Sequence, residues 1–339
     1  MAILTYIEAL NQAWKEEMRR DERVIIWGQD MISWNAGQGQ TAGIYDEFGG
    51  DRIKDTPITE QATAGMAIGS AMRGLRPIAY FTAAGFMLCA FDGLFLQIGC
   101  HHYNLPIVVN ADIIGSRGEN THGQSPEALF GHAPYWKIVM PSTPYDVKGL
   151  MKTAIRDEHP VLFLHHMQAM FSGYSDGSLY RSYQTGKILA EGNRQEVPEE
   201  EYLIPFGEAD IKREGSDITV VTYSYMVHHA LEASSELGKD GIAVEVVDLR
   251  TIVPLDVATI VKSAKKTGRL LIVHEAMKRN GVAGEIAFRV LEESPEVVAS
   301  LKTPYRRLAA QNLPLPGRDP AQVPSSASIT AVVKEMVRG

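Results

Sequence analysis

Short apolar runs alternate along this chain with longer stretches whose apolar residues recur at helical spacing. Ile7, Leu10, Trp14 and Met18 mark one face of a helix, and Val24 to Trp27 follows as a strand-type run ending at Gly28. Further apolar segments lie at Pro77 to Phe81, Pro106 to Asn110, Lys137 to Met140 and Val161 to His165, each separated from the next by enough chain for a helix. Strands buried on both faces read as continuous apolar runs, so the pattern predicts a parallel sheet covered by helices on both sides.

The regular pattern lapses from His166 to Gly215, where Gly, Ser, Tyr and the charged segment Val197 to Tyr202 dominate. This lapse predicts a first domain over residues 1–185, a linker over 186–215 and a second domain over 216–339. In the second domain Ile218 to Tyr223, Val244 to Leu249 and Leu270 to Glu275 read as strands, with helices starting near Met226, Asp256 and Val282. The fold class is therefore α/β, with two doubly wound domains. Four prolines between Leu313 and Pro324 exclude a helix interior or a central strand there. Ile329, Val332, Val333, Met336 and Val337 then predict a docked terminal helix.

Composition narrows the function. Against 33 Lys and Arg stand 41 Asp and Glu, a formal net charge of −8, which argues against nonspecific binding to nucleic acid or anionic membranes. No apolar run approaches the roughly 20 residues of a membrane helix, and Met1 to Leu10 lacks a basic region followed by an apolar one, so a cytoplasmic chain is expected. Cys89 and Cys100 are the only cysteines, too few for a disulfide framework and without metal-ligand spacing. They read as small core hydrophobes in a reducing compartment.

The phosphate-cradling G-x-x-x-x-G-K-[ST] loop, the dinucleotide G-x-G-x-x-G after the first strand and H-E-x-x-H are all absent. What remains is D-T-P-I-T-E from Asp55 to Glu60, a strand-like approach that ends in a glutamate. It leads into a helix of small residues, Ala62, Ala64, Gly65, Ala67, Gly69 and Ala71. A carboxylate at the C-terminal end of a parallel strand lies where open α/β sheets bind ligands, and the small residues permit close packing. The alternative is a solvated residue in an ordinary first helical turn. A second candidate is the polar, Gly-rich loop Gly115 to Ser125, which carries Arg117, Glu119, His122 and Gln124. His122 can serve as a proton donor or acceptor near neutral pH, or simply lie on the surface. An aromatic cluster, Tyr80, Phe81 and Phe86, sits between the two candidates. His101, His102 and His132 read as structural, with one of the pair capping a helix end.

Colinear blocks on both sides of these residues resemble one family. They include R-D-E-R-V-I-I-W-G-Q-D from Arg20, G-I-Y-D-E-F-G from Gly43, D-R-I-K-D-T-P-I-T-E from Asp51, G-L-R-P-I from Gly74, V-M-P-S-T-P-Y-D-V-K-G-L from Val139 and A-I-R-D from Ala154. I-P-F-G-E-A from Ile204, V-V-D-L-R-T-I-V-P-L-D from Val246 and T-G-R-L-L-I-V-H-E-A from Thr267 continue the match. The chain is similar to the β subunits of thiamine-diphosphate-dependent 2-oxoacid dehydrogenases, the E1 components of pyruvate, branched-chain 2-oxoacid and acetoin dehydrogenase complexes. The resemblance implies a pyrimidine-binding domain of transketolase type followed by a transketolase C-terminal-like domain.

It also implies roles. Glu60, as a buried carboxyl with a raised pKa, would hydrogen-bond the aminopyrimidine of thiamine diphosphate and favour the tautomer that deprotonates the thiazolium, which then acts as electron sink for carbon dioxide loss. Phe86, whose alternative is core packing, would lie against the aminopyrimidine, with Thr82 a further cofactor contact. His122 falls where the family has a channel histidine that serves acyl transfer to a lipoyl group. Ala154 and Asp157 resemble positions that hold a structural K⁺, although His159 stands where asparagine is common. Mg²⁺ and the diphosphate are anchored in this family by a G-D-G segment that is absent here. An α subunit would supply it, giving an α2β2 heterotetramer that docks on a lipoyl acyltransferase (E2) core.

Two departures touch the expected pocket: a shorter stretch between Asp92 and Pro106, and Tyr80 in place of an acidic residue. They leave open a carbon–carbon ligase or acyl-transferring enzyme without a lipoyl acceptor, and a non-catalytic scaffold subunit.

Overall fold

The structure is a computed structural model that describes residues 1–37, 39–100, 104–115, 122–171, 194–312 and 323–338. The expected strands form as two sheets. The first has seven strands in the order β12-β6-β7-β5-β4-β2-β3. They are β2 (Val24–Gln29), β3 (Ile53–Thr56), β4 (Arg76–Phe81), β5 (Val108–Ile113), β6 (Lys137–Val139), β7 (Val161–His166) and β12 (Thr251–Val253). All are parallel except β12, which runs antiparallel along β6. The second sheet has the order β14-β13-β10-β11-β9, from β9 (Asp210–Arg213), β10 (Ile218–Thr222), β11 (Val244–Asp248), β13 (Leu270–Met277) and β14 (Arg306–Ala310). A small ribbon pairs β1 (Ala2–Thr5) with β8 (Arg194–Val197).

Alternation along β4 shows why the runs are continuously apolar. Ile78 and Tyr80 enter one core, which includes Leu10, Trp14 and Met18 of the helix Tyr6–Arg20, while Ala79 and Phe81 enter the core on the opposite face. The first helix begins where Thr5 and Glu8 cap each other's backbone N–H groups, and it packs on the helix Pro144–Arg156. Between them the carboxylate of Glu17, fully buried, receives the Arg156 guanidinium at 2.6 Å and Arg20 at 2.7 Å.

Several expectations change. The stretch 186–215 expected as linker carries β8 and β9, and β12, from beyond residue 216, completes the first domain's sheet. Ser142 and Asp146 at the start of the helix Pro144–Arg156 are tied to the second domain by Asp248, Lys212 and Arg250. Cys89 and Cys100 are exposed, not core. They lie along the 3₁₀ turn Ala84–Ala90 and just past the π-type turn Asp92–Ile98, where irregular spacing turns alternate positions outward. The terminal helix forms as Ser326–Arg338, burying Ile329, Val333 and Met336. His101, His102, Pro314, Pro316 and Pro320 lie outside the described residues.

Candidate functional site

The chain leaves β2 for β3 on one side and returns through the helix Glu60–Met72 to β4 on the other, so the crevice at the C-terminal ends of β2 and β4 is a topological switch point. A narrow cleft opens there, lined among others by Gln29, Thr56, Glu60, Tyr80, Thr82 and Phe86. The carboxylate of Asp55 accepts the backbone N–H groups of Ile32 and Ser33 at 2.6 and 3.2 Å, which ties the turn after β2 to the end of β3. Pro57, Ile58 and Thr59 then bridge to Glu60, the first residue of the helix.

That helix is built for close approach. Ala64, Ala67 and Ala71 bury their faces, and a Cβ on Gly93 would already stand 3.1 Å from Ala64. Gly65 and Gly69, on the opposite side, have open space beside them. Ile58 lines the cleft with 71% exposure, and Met66, Met72, Leu88 and Leu96 are further exposed large apolar residues.

Glu60, expected to be buried, is half-buried in this chain, because the neighbouring Ile58 and Thr59 leave the outer wall of the cleft open. The Thr82 hydroxyl oxygen is shielded from solvent and has no hydrogen-bond partner among the described residues. An orphaned buried hydroxyl beside a carboxylate and an aromatic ring fits a nitrogen heterocycle that carries both a donor and an acceptor. Phe86 and His122 meet edge to face with ring centroids 4.8 Å apart and planes at 68°. The structure thus gathers Glu60, Thr82, Phe86 and His122 at one end of the sheet. Arg117 and Glu119 lie outside the described residues. His132 is exposed and stacks on Phe95 at 6.4 Å.

The residues at the expected K⁺ position do not fit a monovalent cation. Arg76 donates to the carbonyls of Ile155 and Asp157, both at 3.0 Å, and pairs with the Glu158 carboxylate. Lys137 pairs with the Asp157 carboxylate, which also accepts the His159 backbone N–H at 2.9 Å. The Ala154 carbonyl receives the Asp157 N–H at 3.3 Å. Arg76, Lys137 and backbone N–H groups already serve these oxygens. Among the described residues no group of three or more His, Cys, Asp or Glu side chains is arranged to hold a metal.

Behind the cleft lies a polar row that the sequence reading marked only by Tyr80. The Tyr80 hydroxyl donates to buried Asp112 at 2.7 Å, and burial pushes that carboxyl up to about 8, with the Tyr80 hydrogen bond opposing. His165 bridges the Tyr6 hydroxyl at 2.8 Å and the Asn110 side-chain oxygen at 2.5 Å, and burial lowers its pKa to about 3, so it is neutral.

A second cluster escaped sequence reading altogether. Buried Glu127 accepts the hydroxyls of Ser125 at 2.6 Å and Tyr223 at 2.7 Å. Burial raises its pKa to about 7, against the lowering effect of those two donors. His166 Nε2 lies 2.7 Å from Glu275 Oε2, a close contact set off the ideal hydrogen-bond direction, and its ring stacks on Tyr225 at 4.9 Å. Nothing short-range marks these partners, because they join strands of different domains.

Comparison with known proteins agrees with this arrangement. Residues 3–171 match the transketolase pyrimidine-binding domain, and residues 207–330 match the transketolase C-terminal domain. The 2-oxoisovalerate dehydrogenase subunit beta of Bacillus subtilis is 44% identical over 321 residues, covering 93% of this chain and 91% of its own. The pyruvate dehydrogenase E1 component subunit beta of the same organism is 40% identical, over 93% and 92%. The acetoin:2,6-dichlorophenolindophenol oxidoreductase subunit beta of Cupriavidus necator is 38% identical, over 98% and 96%. Among solved structures, an inactive β4 tetramer of a split-gene transketolase superposes with a TM-score of 0.76 at 20% identity over 99% of both chains, a likeness of fold. A carboxylate, an orphaned hydroxyl and an aromatic ring at the switch point of such a domain, with these relatives over nearly the whole length, place the chain in the family of β subunits of 2-oxoacid dehydrogenase E1 components.

Proposed function

We propose that this chain is the pyrimidine-binding half of a thiamine-diphosphate-dependent E1 enzyme that decarboxylates a 2-oxoacid and passes the acyl unit to a lipoyl group. The bound cofactor supplies the electron sink for carbon dioxide loss. Across the whole reaction the 2-oxoacid loses carbon dioxide, its carbonyl carbon is oxidised to a thioester, and the lipoyl disulfide is reduced to one thiol and that thioester.

The chain's own residues bind, orient and exchange protons. Glu60, at the head of its helix, holds a proton shared with the aminopyrimidine, and the Thr82 hydroxyl offers that ring a second polar contact. Phe86 covers the ring face and excludes water, and it fixes the edge of His122. His122 then gives or takes a proton as the acyl unit moves to the lipoyl sulfur.

An α subunit closes the cleft and brings the diphosphate and Mg²⁺ ligands, in an α2β2 assembly docked on an E2 core. The half-exposed Glu60 and the exposed Ile58 beside it at the cleft support a covering partner. No K⁺ is included, since Arg76 and Lys137 serve that position.

The observation that carries this reading is the convergence of Glu60, Thr82 and Phe86 on one cleft with His122 against Phe86. In the complex reconstituted with its α subunit, Glu60→Gln should lower carbon dioxide release by about 10²- to 10⁴-fold while size-exclusion chromatography shows intact assembly. Normal turnover in that variant would sink the assignment.

A further inference from the structure

The segment that ends in His122 has described residues at both of its stems, and each stem rests on the second domain. At the near stem Gly115 adopts φ +73°, and a Cβ there would lie 2.5 Å from Glu275 Oε1 and 2.8 Å from His166 Nε2. The backbone of Gly115 therefore sits directly on the Glu275–His166 contact, in the left-handed conformation that favours glycine. Glu275 comes from β13 and His166 from the end of β7, so the seat itself joins the two domains.

At the far stem Glu127 is fully buried, and both its oxygens are engaged. Ser125, two residues back toward His122, donates to Oε2 at 2.6 Å, and Tyr223, just past the end of β10, donates to Oε1 at 2.7 Å. Tyr223 is itself buried at 3% exposure and stacks on His274, the residue before Glu275. A buried carboxylate held by two hydroxyls fixes the chain between them, since releasing either donor leaves an unsatisfied buried oxygen.

We infer that Tyr223 and Glu275 are positioning residues: the second domain sets the place of His122 by gripping the chain on both sides of it, through Glu127 at one stem and through His166 and Gly115 at the other. The inference rests on the proposed role of His122 in acyl transfer. The second domain thus takes part in the active site, although neither of these side chains lines the Glu60 cleft.

The test separates the two half-reactions in the complex reconstituted with its α subunit, using 2-oxoisovalerate as substrate. Decarboxylation is followed with 2,6-dichlorophenolindophenol as electron acceptor, and acyl transfer with an isolated lipoyl domain. The near-isosteric variants Tyr223→Phe and Glu275→Gln should lower the kcat of lipoyl acylation tenfold or more, leaving the dye-linked rate and the KM for 2-oxoisovalerate within twofold. In a His122→Gln background they should add no further loss. Should either variant fail to assemble, Ser125→Ala removes a donor from Glu127 at a partly exposed position and should give the same split.

Unchanged acylation, or a parallel fall in both half-reactions, overturns the inference while leaving the functional reading intact, provided His122→Gln has lost acylation. If His122→Gln acylates lipoyl normally, the functional reading fails, and the inference fails with it.

Discussion

Phe86 and His122 touch edge to face, their centroids 4.8 Å apart, although 36 positions of sequence separate them and they enter the site from opposite sides of β5 in the chain. Such pairs contribute about 0.5–1.5 kcal/mol beyond area burial. Phe86→Leu keeps an apolar side chain at a half-buried position but removes the ring edge. It should slow lipoyl acylation by up to about tenfold with little change in global stability, read from acylation kinetics beside a thermal melt. An unaltered acylation rate would mean that the ring does not orient the imidazole.

Between the domains Lys212 donates to Asp146 at 2.6 Å and to Asp210 at 2.8 Å, and Arg250 reaches Asp146 at 2.7 Å. Asp146 is fully buried, and its pKa is held down by Lys212 and Arg250 against the opposing effect of burial. Removing one member of a buried ion pair typically costs about 3–5 kcal/mol. Because Arg250 remains, Lys212→Met should fall near the lower end of that range in urea denaturation. Adding Asp146→Asn should recover part of the loss, whereas additive losses would show that the charges act independently.

Asp112 makes stability depend on pH in a definite sense. Its carboxyl titrates at about 8 in the folded chain because it is buried, against about 3.9 when unfolded. The native state therefore keeps a proton that the unfolded chain has released, and stability falls as pH rises from about 4 to about 8, then levels off. Glu127, raised to about 7 chiefly by burial, acts in the same direction over a narrower window. Asp112→Asn removes its share, so its stability relative to wild type should increase by up to about 1.4 kcal/mol per pH unit across that window. Urea midpoints at pH 5 and pH 8 check this. Equal pH dependence in both proteins would show that Asp112 is already ionised in the native state.

The interior strands were legible because burial on two faces writes a continuous apolar run, as at Ile218–Thr222 and Val161–His166. Edge strands were not. Asp210–Arg213 reads D-I-K-R, Arg194–Val197 reads R-Q-E-V, and Arg306–Ala310 begins with two arginines; polar residues of this kind suit an edge and look like loop in sequence. In the candidate site, the position of Glu60 was legible from a local junction of strand end and small-residue helix. The role proposed for His122 came only through the resemblance of whole blocks. Glu127 and Tyr223 were invisible, because a hydrogen bond across 96 positions leaves no trace in the local pattern of either residue.

The antiparallel strand Thr251–Val253 has a consequence for how the chain comes to be made. During synthesis from the N-terminus, β6 leaves the ribosome long before its outer partner exists, and until then Lys137–Val139 presents an unpaired edge. A translation product that stops near residue 171 holds every parallel strand of the first sheet and still lacks the strand that seals it. Such a product should pair through that edge with its own kind or with a chaperone.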